Sequence, residues 1–353
     1  MNNTTSKINA ERGTKMSNNV EKGSKMKTPT SPRINSKDVF KELDDKLELL
    51  ASRLDSKETE NEIKEFLKFQ SKFYNYSFYN QYILHQQSTK RNIKLEKVAS
   101  FEFWKKQKND KGERACVKKH SKGFKVFVPI KYTKYQRDEK GGFILNCNGK
   151  RIPMLDENGN IIKGLAFNLG NVFDVNQTTA KKLKAYKELE YRNSSTEVPV
   201  SSYLELINNI EESFKINIRE EQLANSAFGG YCDYKENNIV INSNSDRTTA
   251  MKISTLFHEL GHSLMHRDMV LNGDLAENEL QRGLREGQAE AFSYAVSSYF
   301  GIENKSELYI KTWGNNGKEL KESIETVSKA IKKAFNKLSL DKLKLSKEQK
   351  KAA

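Results

Sequence analysis

Two histidines four residues apart, with a glutamate after the first, are the residues of this chain best spaced for chemistry: His258-Glu259-Leu260-Gly261-His262. On a helix, positions i and i+4 share one face, so both imidazoles can aim at one point. Two imidazoles suit a transition metal, above all zinc, and leave positions open for water and one more ligand. Glu259 can then reach water at the ion and act as general base in peptide hydrolysis. Such a pattern also arises by chance on amphipathic helices. The chain has 5 histidines, however, and three of them fall between His258 and His266, which favours the metal reading.

Zinc held by two histidines and a water lacks one protein ligand, commonly a carboxylate or histidine on a following helix. Between Leu284 and Val296, the residues Ala289, Phe292, Ala295 and Val296 keep helical spacing, and Glu286 and Glu290 share one face. A buried carboxylate pair is costly unless a cation neutralises it. Glu286 is therefore assigned as the third ligand. Glu290, one turn later, is assigned to hold a ligand histidine by its far ring nitrogen. The reverse assignment stays open, as does a pair of solvated glutamates. His266 is read as a packed or surface histidine, with competition for the metal as the alternative.

These side chains need elements to carry them. Thr255 to His266 has the apolar spacing of a buried helix. Upstream, Gly229 to Asn242 reads as a hairpin with an Asn-Asn turn and an apolar return strand. Beside a metal cleft, such a strand offers its edge to an extended peptide. Tyr231 and Tyr234 are read as packing aromatics, with stabilisation of an oxyanion as the lesser alternative.

The 353 residues are enough for two domains and a sizeable core. The net charge of +15 favours a polyanionic partner, although a charge run is often only a solvated face. The charge is uneven. Lys90 to Lys140 carries 17 basic and 6 acidic residues, whereas Ser201 to Phe300, with the metal motif, carries 8 basic and 15 acidic. A basic binding module and an acidic metallopeptidase module follow. The 3 cysteines are isolated and odd in number, and no signal peptide is evident, so a reducing cytoplasm is expected. No apolar run is long enough for a bilayer, so no membrane partner is expected.

Along the chain, residues 1–36 read as disordered, being polar and nearly free of large apolar residues. Asp38 to Phe73 reads as one or two helices, Val98 to Lys105 as a short helix, and Phe124 to Pro129 as a strand that Pro129 ends. Residues 137–163 read as a β-hairpin excursion with two turn signals. Residues 179–200 read as a charged helix and linker that form the domain boundary. Leu320, Ile324, Val327, Ile331 and Phe335 predict a packed helix, followed by a Lys-rich tail over 336–353. Basic residues interleaved with aromatics in the N-terminal half suit single-stranded nucleic acid, with cations on phosphates and bases on aromatic faces.

Two family resemblances carry the reading further. Phe257 to His266 and Glu286 to Phe292 resemble the two motifs of the ImmA/IrrE-like metallopeptidases, with Glu290 where those proteins tend to have Asn or Asp. The ArdC antirestriction family has a similar zincin domain with a Glu-x-x-x-Glu pair, which Glu286 and Glu290 match. Tyr76-Ser77-Phe78, Asn80, Leu84, Gln86, Ser100-Phe101, Trp104, Val117-Lys118-Lys119, Lys122-Gly123 and Val172 to Thr178 resemble the single-stranded-DNA-binding domain of that family. His120 stands where the family usually has Gly. The resemblance implies an α+β fold in two domains: a DNA-binding domain over 37–178 and a zincin-like domain over 201–335. It implies a cytoplasmic antirestriction protein of a mobile element such as a conjugative plasmid. Such a protein binds single-stranded DNA, carries a Zn2+ metallopeptidase domain, and acts on a protein or peptide if it cleaves at all. The site residues expected are Glu259 as base, His258, His262 and Glu286 as ligands, and Glu290 behind them. DNA contacts are expected at Tyr76, Asn80, Trp104, Lys105, Lys118, Lys119, Lys122 and Lys125. The rival expectation is a regulatory metalloprotease that cleaves a DNA-bound repressor.

Overall fold

The computed structural model describes residues 36–180, 198–225, 228–244, 246–273, 279–302 and 310–338. The expectations for residues 1–35, for most of the 179–200 helix and linker, and for the tail beyond Leu338 lie outside the described residues.

The helical stretch from Asp38 to Phe73 forms two helices, α1 (Ser36–Ala51) and α2 (Lys57–Lys72). They break where Ser56 caps α2 by accepting a hydrogen bond from Thr59 N. A third helix, α3 (Phe78–Arg91), ends at Asn92 in the left-handed conformation. The expected helix at 98–105 is instead a short strand, β1 (Val98–Ser100), followed by α4 (Phe101–Lys105), with Ser100 as the cap of α4. The strands β2 (Phe124–Thr133) and β3 (Lys163–Asp174) complete an antiparallel sheet of order β1-β3-β2.

Strand β2 runs through Pro129 rather than ending there, and its edge position explains why. Lys125 N and Phe127 N point away from β3 and are taken by side chains of α3. Gln87 Oε1 accepts from Lys125 N at 2.8 Å, and Asn80 Oδ1 accepts from Phe127 N at 2.7 Å. Asn80 Nδ2 and Gln87 Nε2 return hydrogen bonds to the carbonyls of Phe127 and Lys125. Helix α3 thus substitutes for a neighbouring strand. Pro129, two residues on, has its missing N–H on the same outer edge, where no ladder bond is lost.

The segment between β2 and β3 contains three tight turns where two were expected. Asp138, Asn146 and Asp156 each accept hydrogen bonds from backbone N–H groups two and four residues on. In each turn the third residue after the acceptor is a glycine with positive φ: Gly141, Gly149 and Gly159. The overlooked signal was Asn148-Gly149. His120 lies at φ 65°, which is why a glycine suits that position.

Helix α5 (Val200–Phe214) leads into a second sheet, β4 (Asn217–Glu221), β5 (Gly230–Asp233) and β6 (Asn238–Asn242). Its order is β4-β6-β5, with β4 parallel and β5 antiparallel to β6. The predicted hairpin is β5–β6, and β5 is left as an edge. The motif helix α6 (Thr249–Met265) packs on β5 and β6. After the short α7 (Arg267–Leu271), helix α8 (Glu279–Tyr299) lies against α6. The predicted C-terminal helix is α9 (Gly317–Leu338), and its five predicted core residues are all buried.

The two sequence halves share one core. One continuous set of buried residues includes Leu43, Leu47, Ile63 and Leu67 of α1 and α2 together with Phe257, Phe292, Ile324 and Ile331. Helix α2 packs on α8 and α1 packs on α9. Glu48 Oε2 accepts from Gly317 N at 2.8 Å, placing a carboxylate at the N-terminus of α9. A Cβ at Gly317 would meet Glu48 N at 2.6 Å, so only glycine permits this approach. Gln81 Oε1 accepts from both Gln70 Nε2 and Ser328 Oγ, tying α2, α3 and α9 together. The residues from Ser36 onward accordingly form one compact unit.

This shared core predicts that urea unfolds the full chain in a single transition followed equally by fluorescence and circular dichroism. Leu67→Ala, at a fully buried position, should move that transition as a whole, at a cost of about 2–5 kcal/mol. Two separate transitions, with only one displaced, would show the halves to be independent.

Candidate metal centre

The metal motif sits on α6 because its apolar residues bury one side of that helix. Ile253, Leu256, Phe257 and Leu260 are fully buried, and Thr248 caps the N-terminus by accepting from Met251 N. Gly261 lets α6 approach α8 closely: a Cβ there would meet Phe292 Cδ1 at 3.1 Å and Ala289 Cα at 3.3 Å. Ala289, Ala291, Phe292, Ala295 and Val296 bury the facing side of α8. The two helices thereby bring His258, His262, Glu286 and Glu290 together.

His258 Nε2, His262 Nε2 and Glu286 Oε2 form a near-equilateral triangle with sides of 3.2, 3.3 and 3.3 Å. Zinc at about 2.0–2.1 Å from tetrahedral ligands would separate them by about 3.3–3.4 Å. The donor atoms are therefore spaced as the edges of such a tetrahedron, and the residues fit the ion. Their electrostatics agree. Burial opposes a charge on His258, but hydrogen bonds with Glu286 and Glu290 outweigh it and push its pKa up to about 10. The carboxylate pair is not buried as expected, since the Glu286 side chain is 48% exposed; what burial it has opposes its charge, yet both histidines hold it well below the ordinary carboxylate range. The donor set calls for positive charge at its centre.

The side chains around the triangle are ordered by hydrogen bonds. Glu290 Oε2 lies 3.0 Å from His258 Nδ1, on the far side of that ring from the triangle. The Nδ1 atom of His262 lies 3.1 Å from His266 Nδ1 and 3.2 Å from Tyr234 Oη. His266 is 2% exposed and faces the back of His262, so it does not reach the point shared by the three donors. Tyr234 also sits behind His262, and Tyr231 is an exposed residue of the edge strand with its hydroxyl near Arg219. Both tyrosines line the cleft that holds the triangle.

Glu259 is buried, and burial raises its pKa although both motif histidines partly oppose the rise. It lines a cleft of about 620 Å³ with His258, His262, Glu286 and Glu290. Phe228 to Cys232, which includes the edge strand β5, borders the same cleft. Burial, then the charge of Glu259, pushes the Cys232 thiol up to about 12, so it stays protonated and is no nucleophile at neutral pH.

The expected DNA contacts divide into two groups. Asn80 and Trp104 are buried and make structural hydrogen bonds. Asn80 closes the β2 edge, and Trp104 is 3% exposed with its indole N–H donating to Phe173 O at 2.9 Å. Tyr76 is half-buried and donates to Val98 O at 2.9 Å. Lys105, Lys118, Lys119 and Lys122 are exposed, Lys125 is half-buried, and Lys118 Nζ donates to Asn176 O. The sequence reading missed the remainder of α4 and the turn after it. Lys105, Lys106, Lys108 and Arg114 line a concavity beside Glu102 and Gly112. Phe101, at the start of α4 with its ring edge-on to Phe173, is 44% exposed, with Lys105 Nζ 5.3 Å from its ring centre. The available signal was the run Lys105-Lys106-Gln107-Lys108.

Residues 35–167 match the N-terminal domain of anti-restriction factor ArdC, and residues 211–310 match the IrrE N-terminal-like domain, Peptidase_M78. No curated protein is significantly similar to the chain in sequence. Among solved structures, the metal-free antirestriction ArdC protein from R388 plasmid is 15% identical, with a TM-score of 0.43 over 75% of this chain and 84% of that one. The Mn(II)-bound structure of the same protein is 15% identical, with a TM-score of 0.41 over 78% and 86%. The chain thus carries an ArdC-type N-terminal domain over 35–167 and an IrrE-like domain, a metallopeptidase-like fold, over 211–310.

Proposed function

We propose that this is an antirestriction protein of a mobile element that binds single-stranded DNA and carries a zinc-dependent peptidase centre. The observation that carries the catalytic half is the convergence of His258, His262 and Glu286 at tetrahedral spacing beside buried Glu259. When bound, zinc supplies a Lewis acid that polarises a carbonyl and makes water nucleophilic near neutral pH. The chain's own residues do the rest. Glu259 takes the proton of the attacking water and returns it to the departing amine nitrogen. Glu290 keeps the His258 ring turned toward the ion. The free edge of β5 can pair with an extended peptide along the cleft.

For DNA, the exposed basic residues and Phe101 support a single-strand site on α4 and the turn after it. Phosphates would meet Lys105, Lys106, Lys108 and Arg114, and a base would stack on Phe101. This reading replaces Trp104 with Phe101 as the stacking residue. The reading as a repressor-cleaving protease keeps the same metal centre and differs in making hydrolysis essential.

In metal analysis of purified protein, His258→Ala or His262→Ala should abolish stoichiometric zinc, and Glu286→Ala should weaken it strongly. Glu259→Gln should retain zinc and lose any hydrolysis. Loss of zinc from Glu259→Gln would make Glu259 a ligand rather than a base.

Anisotropy of labelled oligothymidine with the full chain should show log affinity falling linearly with log salt. The Lys105→Ala/Lys106→Ala/Lys108→Ala variant should lower that slope by about 2, at about 0.7 per lost phosphate contact on single strands. Phe101→Ala should weaken binding by about 1–3 kcal/mol with the slope unchanged. Unaltered slope and affinity in both variants would remove α4 from the DNA site.

In cells, Glu259→Gln should still protect transferred DNA from a restriction enzyme, since masking phosphates needs no hydrolysis. An unprotected recipient carrying this folded, DNA-binding variant would favour the protease reading instead.

A further inference from the structure

We infer that His266 and Gln288 are positioning residues that fix the ring tautomer of His262 and so prepare its Nε2 as a metal ligand. The inference rests on the zinc reading above. His262 is held differently from His258. Behind His258 stands a carboxylate, Glu290, which can only accept a hydrogen bond. Behind His262 stands another imidazole, which can donate or accept. The Nδ1 atoms of His262 and His266 are 3.1 Å apart, so only one of them carries the proton between them. If His266 donated, His262 would be protonated on Nε2 and would present N–H to the point shared with His258 and Glu286. The next partner in the line decides the direction. His266 Nε2 lies 3.0 Å from Gln288 Oε1, a carbonyl oxygen that can only accept. The N–H of His266 is therefore on Nε2, its Nδ1 carries the lone pair, and His262 must donate from Nδ1. The Nε2 lone pair of His262 then faces His258 Nε2 and Glu286 Oε2, at 3.2 and 3.3 Å. The hydroxyl oxygen of Tyr234, 3.2 Å from the same Nδ1, is a second acceptor for that proton. His266 and Gln288 are 2% and 7% exposed, so water does not readily replace either partner. Gln288 lies on α8 between Glu286 and Glu290, so one helix supplies a ligand and an orienting group for each histidine.

The test is zinc affinity of the full chain, measured by competition with a chelator, with the unfolding midpoint of the metal-free protein recorded alongside. His266→Phe keeps the ring and removes the acceptor. It should weaken zinc binding roughly 10–100-fold, the range for loss of an orienting partner. His266→Gln restores an acceptor oxygen and should recover most of that loss. Gln288→Met should weaken binding, whereas Gln288→Glu, which can still only accept when ionised, should retain it. If His266→Phe is too unstable to purify, the contrast between Gln288→Met and Gln288→Glu decides. Equal affinity in that pair, or in His266→Phe and His266→Gln, would overturn the inference. Absence of zinc from the unaltered protein would instead count against the zinc reading itself.

Discussion

The rest of the peptidase region is organised around an electrostatic demand. Two imidazole nitrogens and a carboxylate oxygen stand within 3.2–3.3 Å of one another, with buried Glu259 and half-buried Glu290 close by. His262 and Glu259 are buried while Glu286 is 48% exposed at the cleft, and donors gathered this closely favour positive charge among them. The cluster is held in place by packing that has no part in the chemistry. Gly261 lets α6 and α8 close on each other, small and apolar residues of α8 fill the seam, and α2 and α9 cover the outside. The fold stabilises by apolar burial an arrangement of charges that would otherwise separate.

Much of this centre was legible in the sequence, because helical periodicity converts spacing directly into direction. His258 with His262, and Glu286 with Glu290, are four apart on helices whose apolar residues mark the buried side. Their facing sides follow with few alternatives. What spacing could not settle was what lies behind the rings. His266, one turn from His262, read as a packed or surface histidine, with metal binding as the alternative, and spacing did not choose between packed and surface. Its place in a hydrogen-bonded line depends on Gln288, whose neutral side chain carries no signal by type or pattern. The tyrosines were as hard to place: Tyr231 is 43% exposed on β5, and the turn brings the Tyr234 hydroxyl to His262 Nδ1.

In the N-terminal region, family-like residues were legible but their work was not. Asn80 and Trp104 sit at motif positions, yet the physical need they serve is local. An edge strand exposes unpaired N–H and C=O groups, and a proline in that strand removes one donor. Asn80 and Gln87 satisfy that edge from the side of α3, while Trp104 pins α4 to β3. A residue kept for such a bond is indistinguishable in a single sequence from one kept for a ligand. Phe101 shows the converse. It lies three residues before Trp104 on a five-residue helix and meets the same Phe173, yet is 44% exposed where Trp104 is 3%, a difference that a helix of barely more than one turn cannot declare through periodicity.

The charge difference between the two halves suggested separate modules, but charge belongs to surfaces and says nothing about buried faces. The amphipathic pattern of α1 and α2 showed that each has a face to bury without naming its partner. That partner is α8 and α9, so the support of the N-terminal sheet runs through Asn80 and Gln87 to α3, through Gln81 and Gln70 to α2, and from α2 to the helix bearing Glu286 and Glu290. A cut between the two matched regions would expose the apolar faces of α1, α2, α8 and α9 together and would unfold what it was meant to isolate. The contributions of the two regions are therefore separable through side-chain chemistry. Glu259 is suited to that purpose because replacing one of its oxygens by an amide nitrogen removes the carboxylate proposed as base while leaving shape and packing nearly unchanged.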